Sequence, residues 1–174
     1  MVIKRRSDRT LIFTDHPEFR PNLTPQEMFR HGIFGGTYFR KIYSSVTKKS
    51  YSDVHKKYSF LRNMNTNLLT RDTEDLSLNK FGVHSGTSLE YWEAKHWIQA
   101  QDPYGWVQWY CEFYSGRRSK DDVRQIKRWA GFTGPSGRFR TRLVNMCKAA
   151  KKKITDPSVS PVIRQGMLQW AFMF

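Results

Sequence analysis

The sequence predicts a mainly α (α+β) fold: a single compact helical domain with a small N-terminal extended or hairpin element. Three observations carry this. From Thr87 onward, capping residues and apolar repeats recur at helical spacing. Earlier, β-favouring residues flank a Gly35–Gly36 pair, the only stretch that reads as extended structure within the domain. At 174 residues, with 39% hydrophobic and 15% aromatic content, the chain is long enough for one core, built more from rings than from Leu, Ile and Val.

Taken in order, residues 1–22 read as a basic N-terminal arm, with Lys4, Arg5, Arg6 and Arg9 carrying its charge and Pro17 and Pro21 bracketing an extended run. The globular domain is then expected over 23–174. Thr24, Pro25, Glu27 and Gly32 spell a short helix: cap, first-turn proline, capping box and stop. "IFGGTYFRKIYSSV" reads as a tight turn at Gly35–Gly36 between extended segments, a candidate hairpin. Residues 51–61 read as a second short helix and 62–86 as a polar surface loop holding short pieces.

Thr87 and Glu90 form another capping box, for a helix with Leu89, Trp92 and Trp97 inward. Asp102 and Pro103 are the expected cap and first position of the next helix. On it Trp106, Trp109, Tyr110 and Phe113 fall at i, i+3, i+4 and i+7, one face. Rings at that spacing read as core rather than as a platform for ligands, which makes this helix the expected central pillar. Ser119 caps a helix expected to stop at Gly131, with Val123, Ile126 and Ala130 inward. After "GFTGPSG" comes a helix with Phe139, Leu143 and Met146 inward, then a last one with Pro161 at its first position and an apolar end near Trp170.

Charge points to a partner. Thirty Lys and Arg against 15 Asp and Glu leave a net +15 and a pI near 10.1. Such a surface self-repels unless a polyanion is present, so nucleic acid is the leading partner, DNA ahead of RNA, with an anionic membrane face as the second candidate and an acidic protein as a further one. Residues 117–153 concentrate the effect: thirteen basic residues against Asp121 and Asp122. The candidate nucleic-acid contacts are therefore Arg117, Arg118, Arg124, Lys127, Arg128, Arg138, Arg140 and Arg142. Tyr38, Arg40 and Tyr104 join them, the tyrosines as rings for base stacking. The two basic helices resemble a helix–turn–helix only in outline, because their Gly/Pro connection is longer than that motif's turn. "GPSGR" reads either as a phosphate-holding turn or as a plain inter-helix turn.

Catalytic signals are sparse. No histidine pair has zinc-helix spacing, Glu93 and His96 supply one half of a di-iron motif without the other, and no metal or cofactor is expected. A nuclease reading would join Asp72 or Asp75 to Glu93 and Lys95. A base-processing enzyme would use the 31–40 Gly-Gly loop as a pocket, with Asp102 or Glu27 as acid. Cys111 and Cys147 lack disulfide or zinc spacing, which suits a reducing compartment. The absence of a long apolar run or a secretory signal leads to an expectation of no membrane span and a cytoplasmic location.

Two segments, "FRHGIFGGTYFRKIYSSVTKKSYSDVHKKY" (29–58) and "LNKFGVHSGTSLEYWEAKHWIQAQDPYGWVQWYCEFYSGRRSKDDVRQIKRW" (78–129), resemble a family of short proteins that carry a domain of unknown function. The family occurs in cyanophages, large-DNA algal viruses and scattered bacteria and eukaryotes. The resemblance implies a cytoplasmic, phage- or virus-encoded protein and brings no activity, fold or site residue with it. Three readings follow: a nucleic-acid-binding protein without catalysis, a DNA- or RNA-processing enzyme using the 31–40 loop, and a basic adaptor or virion protein that meets an acidic partner.

Overall fold

The computed structural model describes residues 3–174. It is mostly helical, with two small antiparallel hairpins in its N-terminal part. β1 (Ile3–Arg5) pairs with β2 (Leu11–Phe13), Ile3 opposite Phe13. Leu11 and Phe13 face inward on the strand's alternating period. The expected arm is thereby corrected. Phe13 and Phe19 are fully buried, and Phe19 stands edge-on to Tyr110, Phe113 and Trp129. Ring burial outweighs the basic composition, because Lys4, Arg5, Arg6 and Arg9 keep their charges at the surface while the apolar positions after them dock. Met1 and Val2 of that arm lie outside the described residues.

α1 (Pro25–His31) begins as the sequence implies. Glu27 N–H donates to Thr24 Oγ1 at 3.1 Å, and Thr24 N–H donates to the Glu27 carboxylate at 2.8 Å. The Gly35–Gly36 pair, in contrast, is no hairpin turn. It lies in a buried 3₁₀ turn, Phe34–Gly36, where Gly36 has φ 80° and an added Cβ would stand 2.0 Å from the Asn67 carbonyl oxygen. The second hairpin comes later, β3 (Ile42–Ser44) with β4 (Lys49–Tyr51). Residues 51–61 make 3₁₀ turns at Val54–Lys57 and Ser59–Leu61 rather than a helix. The 62–86 loop holds two more, Thr66–Leu68 and Leu76–Leu78.

α2 (Leu89–Ala94) is capped by Ser88, one residue later than expected; Thr87 Oγ1 accepts from Trp92 Nε1 at 2.7 Å. It ends before Trp97. α3 (Trp106–Tyr114) is capped by Gly105, not Asp102. It is the pillar: Trp106 through Phe113 are buried except Glu112, the pattern of a helix enclosed on nearly all sides. α4 (Asp122–Thr133) runs through Gly131 and stops at Gly134. Its inward face is Asp122, Gln125, Ile126, Trp129 and Thr133, whereas Val123 is 57% exposed and Ala130 is exposed. Burying the Trp129 ring outweighs burying Val123 and Ala130, which sets the rotation of the helix.

α5 (Arg138–Ala149) buries Leu143 and Cys147 but leaves Met146 exposed. With α6 (Pro161–Leu168) it encloses a second apolar cluster of Leu143, Cys147, Val159, Met167 and Phe172. The main cluster draws on residues from Leu11 to Ala171. Asn22 clamps the last segment, its side chain donating to Met173 O at 2.6 Å and accepting from Met173 N at 2.9 Å. Among the described residues no helix is long and apolar enough to cross a membrane.

Candidate nucleic-acid interface and an adjoining aromatic cavity

The basic candidates of residues 117–153 separate by what their guanidinium or ammonium groups touch. Arg117 forks Asp102 at 2.7 and 2.6 Å, and the Asp102 side chain is 1% exposed. Burial pushes the Asp102 carboxyl up from its ordinary range, and the Arg117 fork works against that rise. Arg118 holds Asp15 at 2.7 Å and covers the Phe113 ring at 3.7 Å, tying the N-terminal hairpin to the end of α3. Arg124 holds Asp121 at 2.5 and 2.8 Å. These three guanidiniums are engaged within the fold, and a carboxylate partner lessens the charge each has to offer a phosphate. Arg140 lies over Phe172 and Phe174, at 4.5 and 5.4 Å, on the second cluster.

The remaining groups are differently placed. Lys127 and Arg142 are exposed, and Arg128, Arg138 and Arg142 join no ion pair among the described residues. Both acids of the segment are occupied, Asp121 by Arg124 and Asp122 by Trp109 Nε1 at 2.8 Å and Ser119 N at 2.9 Å. α5 itself has three Arg, one Lys and no acid. On its outer side Arg138 and Arg142, one turn apart, share a shallow groove with Ser136, Thr141 and Asn145, all hydrogen-bonding groups. No side chain caps the start of this helix, so its positive end meets no carboxylate of its own. Gly137 is a packing requirement, since a Cβ there would stand 2.6 Å from the Phe132 carbonyl; the inter-helix turn accounts for it.

Arg138 also belongs to a second feature, a cavity of about 320 Å³. Its walls come from distant segments: Phe34, Trp92 and Trp97 from one side, Trp106, Phe132, Phe139 and Trp170 from the other. Trp170 stacks on Phe132 at 4.3 Å and packs against Trp106 at 4.6 Å. Two cations punctuate this aromatic lining. Arg128 lies between Trp97 and Trp170, at 5.5 and 5.3 Å from their ring centres, and Arg138 lies over Phe132 at 4.1 Å. Burial, with Arg124 adding to it, pulls the Arg128 guanidinium down to about 10. Ser85, Thr87 and Gln169 supply the polar groups, and no carboxylate lies among the residues that line the cavity.

A polar cleft adjoins the cavity and shares Phe34, Tyr38, Ser85, Thr87 and Trp92 with it; Arg40, Asp72, Glu74 and His84 are among its other wall residues. His84 sits 2.7 Å from Glu74 through Nδ1 and 3.1 Å from Gly86 O through Nε2, and the Glu74 hydrogen bond raises its pKa. Tyr38 and Tyr104 are corrected as stacking rings. Tyr38 is 4% exposed, donates to Tyr104 O at 2.6 Å and accepts from Gln108 N at 2.9 Å. Tyr104 is 2% exposed and donates to Arg40 O at 2.7 Å. Both are core rings whose hydroxyls satisfy buried backbone. Glu93 accepts from Ser44 and Ser45 beside the second hairpin, away from a nuclease-like grouping. Among the described residues no three His, Cys, Asp or Glu side chains gather as metal ligands.

The cavity as a unit is not legible in the sequence, although Tyr38, Arg128 and Arg138 are candidate contacts there, because its walls are separated by up to 136 positions, from Phe34 to Trp170. One signal was available, the density of rings at Tyr91, Trp92 and Trp97; Trp97, expected inward, lies beyond the end of α2 and is 37% exposed.

No family model matches this chain, and no solved structure does. Over 99 residues, 57% of the chain, it is 28% identical to mitogen-activated protein kinase kinase kinase 3 of Homo sapiens. The chain spans 16% of that protein's length, and at that extent the similarity carries no activity over.

Proposed function

We propose that the protein binds nucleic acid without catalysing a reaction on it, laying the phosphate backbone along the outer groove of α5. The observation that carries this reading is the uncompensated charge of that surface. Arg138 and Arg142 face the groove, the helix bears no acid, and the nearby acids of the segment are taken up by Arg124, Trp109 and Ser119. Ser136, Thr141 and Asn145 add neutral donors, the mixture that grips phosphate oxygens. Net charge of +15 supplies the long-range attraction.

The test is a salt titration of binding to fluorescent 30-nucleotide single- and double-stranded DNA and RNA. Binding should weaken steeply with salt. In the R138Q/R142Q double variant, the slope of log affinity against log salt should shrink by about 1.4 for single strands, from about 0.7 per phosphate contact. An unchanged slope removes the α5 groove from the interface. Shortened strands on a denaturing gel would replace the binding reading with an enzymatic one.

A further inference from the structure

We propose that the aromatic cavity is a nucleobase site, taking one unstacked base of a single strand whose adjoining phosphate rests on Arg138. The clearest argument is continuity. Arg138 lines the α5 groove and the cavity alike, so a backbone following the groove reaches the cavity at that residue. The second argument is chemistry. Aromatic side chains line the space, Trp97 is 37% exposed among them, and every nucleobase has a face for stacking on such a ring. The cavity's size, about 320 Å³, is that of small-molecule sites, which begin near about 300 Å³.

Charge decides among flat ligands. Arg128 and Arg138 face the cavity, no carboxylate lines it, and so a flat ring that carries an anionic group beside it, as a nucleotide does, is favoured over a cationic one. Ser85, Thr87 and Gln169 offer hydrogen bonds to the edge of a ring. Gln169 already donates to Ser85 O at 2.9 Å, which holds its amide in a set orientation. Duplexes hide base faces by stacking, so the site selects single strands or frayed ends. The choice of a nucleotide over other flat rings bearing an anionic group rests on the nucleic-acid reading; the preference for such a ring does not.

The experiment compares a 16-nucleotide single strand with an abasic strand of equal length and charge, by anisotropy of a terminal label at moderate salt. Tryptophan emission is followed in parallel, since Trp92, Trp97, Trp106 and Trp170 line the site. The base-bearing strand should bind about tenfold more tightly, within the range of one base–aromatic stack, and should alone quench tryptophan emission. In W97A, whose ring is 37% exposed, that advantage should fall to less than threefold while binding of the abasic strand is unchanged. Equal affinity and equal emission for the two strands in the native protein would overturn the cavity assignment and leave the backbone groove standing. Failure to bind either strand would instead sink the groove. Saturable quenching by phosphotyrosine at lower concentration than by nucleoside monophosphates would reassign the cavity to another aromatic anion.

Discussion

Identical residue types in this chain have opposite roles, and the difference lies in their nearest oxygen or ring. Arg117 and Arg142 are both arginines of one basic segment, yet the first forks the buried Asp102 while the second faces a groove. Nothing in "GRRSKDD" tells which arginine finds a carboxylate from 15 positions upstream. Glu27 shows the opposite case, a role readable locally and then enlarged. Its capping box with Thr24 was legible, but its carboxylate also grips Arg5 at 2.7 and 2.5 Å. That guanidinium, with the Thr24 bonds, draws the Glu27 pKa from 4.5 to about 2. A carboxyl depressed in the folded state stabilises it above its unfolded pKa, and this stabilisation is lost as pH falls through the folded value. Stability should therefore decline between about pH 5 and pH 2. In E27Q, urea denaturation at neutral pH should show a loss on the order of 1–2 kcal/mol, allowing for the 37% exposure of Arg5. The variant's decline toward acid should be shallower. A variant that keeps the native pH profile would remove Glu27 from this role.

Helices were legible as elements and misread at their edges and faces. The central pillar, the two basic helices and the terminal one all exist, and the reason is that 3.6-residue periodicity is a local property of the chain. Their ends depend on more. Asp102 and Pro103 have the grammar of a helix start, but Asp102 is drawn into a buried ion pair and the helix begins after Gly105. Gly131 has the grammar of a stop, but α4 continues because Trp129 and Thr133 bury on the same face. Substitution of two glycines should separate these effects. Gly131 is interior to α4 with open space where its Cβ would be, so G131A should stabilise by about 0.5–1 kcal/mol through a less flexible unfolded chain. Gly36 is in the left-handed region with the Asn67 carbonyl in the way, so G36A should destabilise by about 3 kcal/mol or more. Thermal melts of the two variants should move in opposite directions.

At the scale of the whole molecule, the N-terminal segment is a wall of the core. Its basic composition suggested an arm, yet Leu11 is buried in the main cluster, Phe13 packs on α3, Phe19 packs on α3 and α4, and Arg118 anchors Asp15. A variant lacking residues 1–20 should lose cooperative unfolding and bind hydrophobic dyes, because removing two fully buried phenylalanines leaves Phe113, Trp109 and Trp129 open to water. Unaltered melting of that variant would show the hairpin to be dispensable. Phe19 touches rings on both α3 and α4, so the aromatic composition that stood out in the sequence is realised as one connected packing of rings.

By itself the sequence determined that this chain builds helices around a ring-rich pillar and carries a strongly basic stretch over residues 117–153, since helical period, capping chemistry and net charge are sums over neighbours or over the whole chain. Only the tertiary structure decided which of the cations are engaged. Arg117, Arg118 and Arg124 meet carboxylates, whereas Arg128 and Arg138 meet rings at the edge of a carboxylate-free cavity. That cavity joins Phe34 to Trp97, Phe132 and Trp170, residues no local pattern relates. Coulomb attraction and ring burial act over a few ångströms of space, and distance along the chain does not encode that proximity.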